Sequence, residues 1–247
     1  MRALKMIKPS IALTAFALAL VSGGWQAAAR AQDRGGSYPS MAPLERYLMD
    51  REAETALARS AAPAAISGKA TILVLTRNGY ETVVRGTNGF VCLVDRQWQA
   101  PFAELDFWNP RVRGPVCLNP QAARSVLPFQ LKRTELALAG LSKLEIMARI
   151  QAAIAKGELK PPELGAMSYM LSKEQYLADA DPHFQPHLMF YTPGTVEGTD
   201  WGANLPGSPV LVAPERLPDG AREPLLVFLV PVAHWSDGTE APASKHH

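Results

Sequence analysis

The sequence predicts an α+β fold: one domain with a mostly antiparallel sheet and helices packed on one face. Three observations predict it. Apolar, strand-like runs separated by tight-turn residues come early, at 71–95. Helical patterns fill 120–156, and apolar runs return at 186–192 and 225–232. Strands, then helices, then strands again is not the regular βαβ alternation of a parallel sheet. Composition agrees with a packed core, since 47% of the 247 residues are apolar and only 19% charged, too apolar a balance for a disordered chain. No repeat appears at a period of 20–50 residues.

The first 31 residues read as a secretory signal peptide. Arg2, Lys5 and Lys8 precede an apolar run at 11–21 broken only by Thr14, and the run 27–31 (AAARA) offers small residues for cleavage. As a helix the apolar run rises only about 16 Å, roughly half of a bilayer core, so an uncleaved anchor is the weaker alternative. Cleavage removes four of the 25 basic residues and no acidic one, leaving 21 basic against 23 acidic groups. That balance disfavours nucleic acid as a partner. No later run is long enough for a membrane span, and the processed chain is expected to be periplasmic or secreted.

Residues 32–42 read as a disordered lead-in and 43–240 as the domain. A helix is expected over 43–60, with Met49, Ala53, Ala56 and Leu57 on its buried face and charges on the wet one. The apolar run 71–76 (TILVLT) is a strand, and Asn78-Gly79 suits a type I′ turn because both tolerate positive φ. Residues 80–85 alternate in polarity, 86–89 turn again, and 90–95 (FVCLVD) form a third strand. Together they predict a β-meander. Residues 96–114 carry Trp98, Phe102, Phe107 and Trp108 without a period, which predicts a long loop packed by its own side chains.

Asn119-Pro120 reads as a cap with proline at the first helical position, opening a helix to 139 interrupted at Pro128. Ser142 and Glu145 form a capping box for a helix that buries Ile146, Ile150 and Ala153. A strand follows at 166–171, then a short helix opened by Ser172 and Gln175. The strand at 186–192 places His187, Met189 and Tyr191 on one face. Residues 193–208 loop around Trp201, strands return at 210–213 and 225–232, and 241–247 is a disordered tail.

Cys92 and Cys117 are the only cysteines. In an exported chain an even count favours a disulfide between them; two buried thiols are the alternative. Three histidines outside the tail, His183, His187 and His234, are the candidate metal ligands. If the strands at 186–192 and 225–232 are neighbours, His187 and His234 converge, and with Asp181 or Asp237 they suit a divalent transition metal such as Zn²⁺, Cu²⁺ or Ni²⁺. Unrelated histidines with satisfied hydrogen bonds are the plainer reading. Trp201 with Asn204, and Trp235 with Asp237, are candidate ligand-pocket residues, because an indole beside small polar groups offers a flat apolar face; loop anchors are the alternative.

No G-x-S-x-G, S-x-x-K, H-E-x-x-H, P-loop or G-x-G-x-x-G is present. The strings 88–94 (NGFVCLV), 107–110 (FWNP), 186–191 (PHLMFY), 201–210 (WGANLPGSPV) and 235–239 (WSDGT) resemble those of a group of exported bacterial proteins of unknown function. The resemblance implies a bacterial exported origin and transfers no catalytic residue. The functional expectation is a non-catalytic binding or interaction module. The alternative is a metal- or His-dependent hydrolase with its site near His183, His187 and His234.

Overall fold

Strand burial sets the order of the sheet. The computed structural model describes residues 37–217 and 219–242; the expected leader, 1–31, and tail residues 243–247 lie outside them. β1 (Thr71–Thr76) and β3 (Val91–Asp95) are buried along their middles, whereas β2 (Gly79–Val84) exposes Glu81 and Thr82. β2 therefore takes an edge. β4 (Gly114–Leu118), β5 (Met167–Met170), β6 (His187–Pro193), β7 (Leu211–Val212) and β8 (Leu225–Pro231) complete an eight-stranded sheet of order β2-β1-β3-β4-β5-β6-β8-β7. All its pairings are antiparallel except β1 with β3. The expected α+β class is the one observed.

The β-meander is corrected. β3 does not pair with β2; it runs parallel to β1 on the far side, with Thr71 opposite Val91 and Ile72 opposite Cys92. An apolar strand with two buried faces gains more in the sheet interior than beside an exposed edge. The chain makes the crossing by passing over the start of β1, where Thr87 N donates to Lys69 O (2.8 Å), Thr71 N to Phe90 O (2.9 Å) and Gly86 N to Thr71 Oγ1 (3.0 Å). A Cβ on Gly86 would lie 2.3 Å from the backbone of Ala70 and Thr71. Gly86→Ala is expected to cost about 1–3 kcal/mol, as overpacking against rigid backbone does; a lower urea midpoint at unchanged slope is the measurement, and an unchanged midpoint counts against the crossing.

The type I′ turn is also corrected. Thr76 pairs with Gly79, so Arg77 and Asn78 form the loop. Gly79 has φ +108°, but Asn204 is the only non-glycine at positive φ among the described residues, so Asn78 lacks the type I′ conformation. Thr76 stabilises the alternative: its Oγ1 accepts from Asn78 N (3.1 Å) and donates toward Gly79 O (2.9 Å).

Helix α1 (Arg51–Arg59) is shorter than expected, because the Asp50 carboxylate caps it by accepting from Glu52 N and Ala53 N, while 44–46 forms only a 3₁₀ turn. Its buried side carries Glu54, Leu57 and Ala58, and Ala53 and Ala56 are exposed, which corrects the predicted stripe. α2 (Ala64–Ser67) is a single turn. α3 (Pro120–Ser125), capped by Asn119, and α4 (Leu127–Leu138) meet at the expected break near Pro128. α5 (Lys143–Ala155) begins at the Ser142–Glu145 capping box. The short helix expected after Ser172 is absent. Ser172 Oγ accepts from Glu174 N in a turn, and Tyr176 then bridges Arg113 by two backbone hydrogen bonds.

Side chains alternate across the sheet. Leu73, Leu93, Val116 and Leu118 face Ala122 of α3 and Val126 beside it. α4 and α5 pack on the same side, joining Phe129, Ile146 and Ile150 to Leu75, Trp98, Phe102 and Phe107. Ile72, Cys92, Val94 and Cys117 face the other way, onto Leu57 and Ala58 of α1. α1 thus covers the face opposite the three later helices. Tyr38, Met41 and Ala42, within the stretch read as a lead-in, pack against the aromatic cluster, and Tyr38 Oη donates to Asp179 (2.7 Å). Cys92 and Cys117 sit opposite each other on β3 and β4 and are disulfide-bonded. Among the described residues no helix is long and apolar enough to cross a membrane.

Candidate functional site

The histidines are brought near one end of the sheet but not into a ligand set. β6 and β8 are neighbours, with His187 opposite Pro231, as the convergence required. His187 is buried at 1% exposure, and its Nδ1 donates to the Gln185 carbonyl (2.8 Å). Burial holds its imidazole down at about 4. His183 and His234 are exposed, and the backbone of His234 bridges Glu240. Asp237 is engaged by Lys173 (2.8 Å) and Thr239 (2.6 Å to its hydroxyl). Among the described residues no three His, Cys, Asp or Glu side chains are grouped to hold a metal.

The structure places the four candidate pocket residues in different surroundings. Trp201 lies flat on Phe228 (4.2 Å between centroids) and near Phe190, over the outer face of β8 and β6. Asn204 Oδ1 accepts from Val212 N (3.1 Å) and edges an open recess with Glu197, Glu215 and Arg216. Trp235 is buried at 8% exposure beyond β8, beside the exposed Asp237.

A different site forms between the sheet and the helices α4 and α5. A cavity of about 60 Å³ is lined by polar Gln99, Gln130, Arg133, Tyr191 and Glu223 among apolar neighbours that include Phe102, Phe129 and Ile150. These five polar groups come from four stretches of chain. Gln99 ends a 3₁₀ turn just after β3, and Gln130 and Arg133 stand one turn apart on α4. Tyr191 projects from β6, and Glu223 precedes β8.

Each group is held firmly. Gln99 Oε1 accepts from Arg96 N (2.7 Å) and Tyr80 Oη (3.2 Å). Gln130 Nε2 donates to Asp95 Oδ2 (3.0 Å) at the end of β3. The Arg133 guanidinium lies 4.0 Å over the Phe102 ring, and its Nη2 donates to Ala100 O. Glu223 accepts from Ala103 N (2.6 Å), and Tyr191 Oη pairs with Ser168 Oγ (2.8 Å). What these bonds leave over is unusual. Six buried side-chain polar atoms among the described residues have no partner; three are on lining residues (Gln99 Nε2, Gln130 Oε1 and Arg133 Nε) and a fourth, Asp95 Oδ1, is on the carboxylate that Gln130 binds. Buried polar atoms are nearly always paired, so four unpaired ones in adjoining side chains are uncommon.

Burial also shapes the charges. It pushes the Asp95 carboxyl up to about 7, against the pull of the Arg96 and Arg133 guanidiniums and the Gln130 amide. Glu223 is raised for the same reason, and burial brings Arg133 down to about 10. An acid whose pKa is raised by folding stabilises the native state below its unfolded value of about 4, and that contribution fades as pH rises through 7. Asp95→Asn is therefore expected to match the wild type near pH 4 and to exceed it increasingly up to pH 8. Urea midpoints across that range give the test; a constant difference would remove Asp95 as the cause.

Sequence reasoning missed this site because its residues are ordinary one by one. Gln130 and Arg133 sit on a helix where polar residues normally face water, and Glu223 lies in a loop segment. Apart from the one-turn step from Gln130 to Arg133, no spacing links them. No protein-family model, curated protein or solved structure matches the chain.

Proposed function

We propose that this chain is an exported, non-catalytic module that binds a small molecule in the cavity between the sheet and α4–α5. The observation that carries the reading is the cavity itself, whose wall brings Gln99, Gln130, Arg133, Tyr191 and Glu223 together among apolar side chains. Gln99 and Gln130 do not titrate, and guanidinium stays charged at neutral pH, so three of the five polar linings suit recognition rather than proton transfer. Export is supported by the charged, apolar and small-residue order of 1–31 and by the Cys92–Cys117 disulfide.

A thermal-shift screen of the processed protein against small metabolites tests the binding reading, because a ligand of the native state raises the midpoint. The expected result is a compound that stabilises the wild type but not Arg133→Met, which keeps the stem and removes the guanidinium. Equal stabilisation of both proteins by every active compound would place binding elsewhere. N-terminal sequencing of the secreted or periplasmic product tests export, and an intact Met1 would count against it.

A further inference from the structure

We infer that Asn78 is a site of spontaneous covalent modification, where water converts the side-chain amide to a carboxylate through a cyclic imide, and that the fold withholds the same reaction from Asn88. Both residues precede a glycine, as Asn78-Gly79 and Asn88-Gly89, so the sequence does not separate them. In each pair the glycine amide nitrogen is the nucleophile. It bonds to the asparagine Cγ, the Cγ–Nδ2 bond breaks, and ammonia leaves with the amide proton. Water then opens the imide. Cleavage at Cγ gives aspartate; cleavage at the backbone carbonyl carbon gives isoaspartate, with the main chain rerouted through Cγ. Glycine favours the first step because it has no Cβ to obstruct the approach.

The surroundings of the two pairs differ. Asn78 is exposed in the loop between β1 and β2, and its backbone N–H donates to Thr76 Oγ1 (3.1 Å). Among the described residues its side-chain amide meets no partner. A Cβ on Gly79 would find no heavy atom within 4 Å, so nothing crowds the ring as it closes. Gly79 pairs with Thr76 at the end of an edge strand, where pairing opens most readily. Asn88 is tied at both ends of its amide: Nδ2 donates to Ile66 O (2.8 Å), and Oδ1 accepts from Phe90 N (3.1 Å). A Cβ on Gly89 would lie 3.1 Å from the Pro120 ring. Turning the Asn88 Cγ toward the Gly89 nitrogen breaks both side-chain bonds, whereas Asn78 gives up none. In the folded chain Asn78 is therefore expected to react roughly thirtyfold faster, the ratio that two hydrogen bonds of ordinary net strength set. Either product puts a carboxylate beside Arg77, whose guanidinium pairs with Glu45 (2.7 Å). Isoaspartate also adds a backbone carbon to the short loop formed by Arg77 and Asn78.

The test is incubation of the folded, processed protein in mildly alkaline buffer, then reduction, trypsin digestion and mass spectrometry, with a sample digested at the start as reference. Cleavage after Arg77, Arg85 and Arg96 puts the two asparagines on separate peptides, 78–85 and 86–96. The expected result is acid accumulating on 78–85, part of it a substrate for an isoaspartyl methyltransferase, while 86–96 stays unchanged over the same interval. In urea with the disulfide reduced, both peptides should react at similar rates, because the bonds that hold Asn88 are gone. In Asn78→Gln, whose longer side chain closes a ring far more slowly, the product on 78–85 should disappear. Equal rates on the two peptides of the folded chain would show that the fold does not select and would overturn the inference. An unreacted 78–85 in the folded chain, whatever happens in urea, overturns it as well.

Discussion

Glu54→Ala is expected to lower folding stability by about 3–5 kcal/mol, the usual cost of removing one partner of a buried ion pair. Glu54 and Arg96 meet at 2.9 Å with both side chains at 0% exposure. Arg96 also donates through Nε to Tyr47 O (2.8 Å) and through Nη1 to Val94 O, and Glu54 Oε1 accepts from Leu75 N (3.0 Å). The pair therefore ties α1, the 44–47 turn, β1 and the end of β3 at one point. Without Glu54 a guanidinium is left without its counter-charge in the interior and a β1 amide loses its acceptor. Urea denaturation gives the number. Because well-packed apolar residues can replace a buried pair at little cost, the double variant Glu54→Met with Arg96→Met should recover much of the loss. Equal losses in the single and double variants would show that the pair is not the source. Gln99 takes its hydrogen bond from the Arg96 amide, so the single variant is also expected to loosen one wall of the cavity.

Replacing both Cys92 and Cys117 by alanine should cost about 3.5 kcal/mol in the chain-entropy treatment of a loop of 25 residues. Both cysteines are at 0% exposure, between the sheet and α1. The bond closes the 96–113 loop at its base, and that loop carries Gln99 and Phe102 into the cavity. A fall in the urea midpoint of the double variant measures the effect; a midpoint equal to the wild type's would show that the packing of β3 on β4 is sufficient by itself. The native protein is also expected to resist alkylation until it is both unfolded and reduced.

Much of the local structure is readable along the chain. The Asn119 cap, the Ser142–Glu145 capping box and the break near Pro128 act over three or four residues, and all three appear in place. The alternation that buries His187, Met189 and Tyr191 on one face of β6 is equally local. The meander fails because strand adjacency depends on how much apolar surface each strand can bury against partners distant in sequence. The stripe predicted for 43–60 fails for a related reason: Glu54 is buried by a counter-charge 42 residues away, and nothing near it in the chain announces Arg96.

The sequence by itself determined the α+β class, the Asn119 and Ser142 caps and most strand faces, because hydrophobic period and capping chemistry act between residues a few positions apart. Only the tertiary structure decided the strand order, the buried ion pair and the cavity. The strand order depends on apolar surface buried between distant strands, the ion pair on Glu54 meeting Arg96 across 42 residues, and the cavity on Gln99, Gln130, Arg133, Tyr191 and Glu223 being carried together by four segments of the chain.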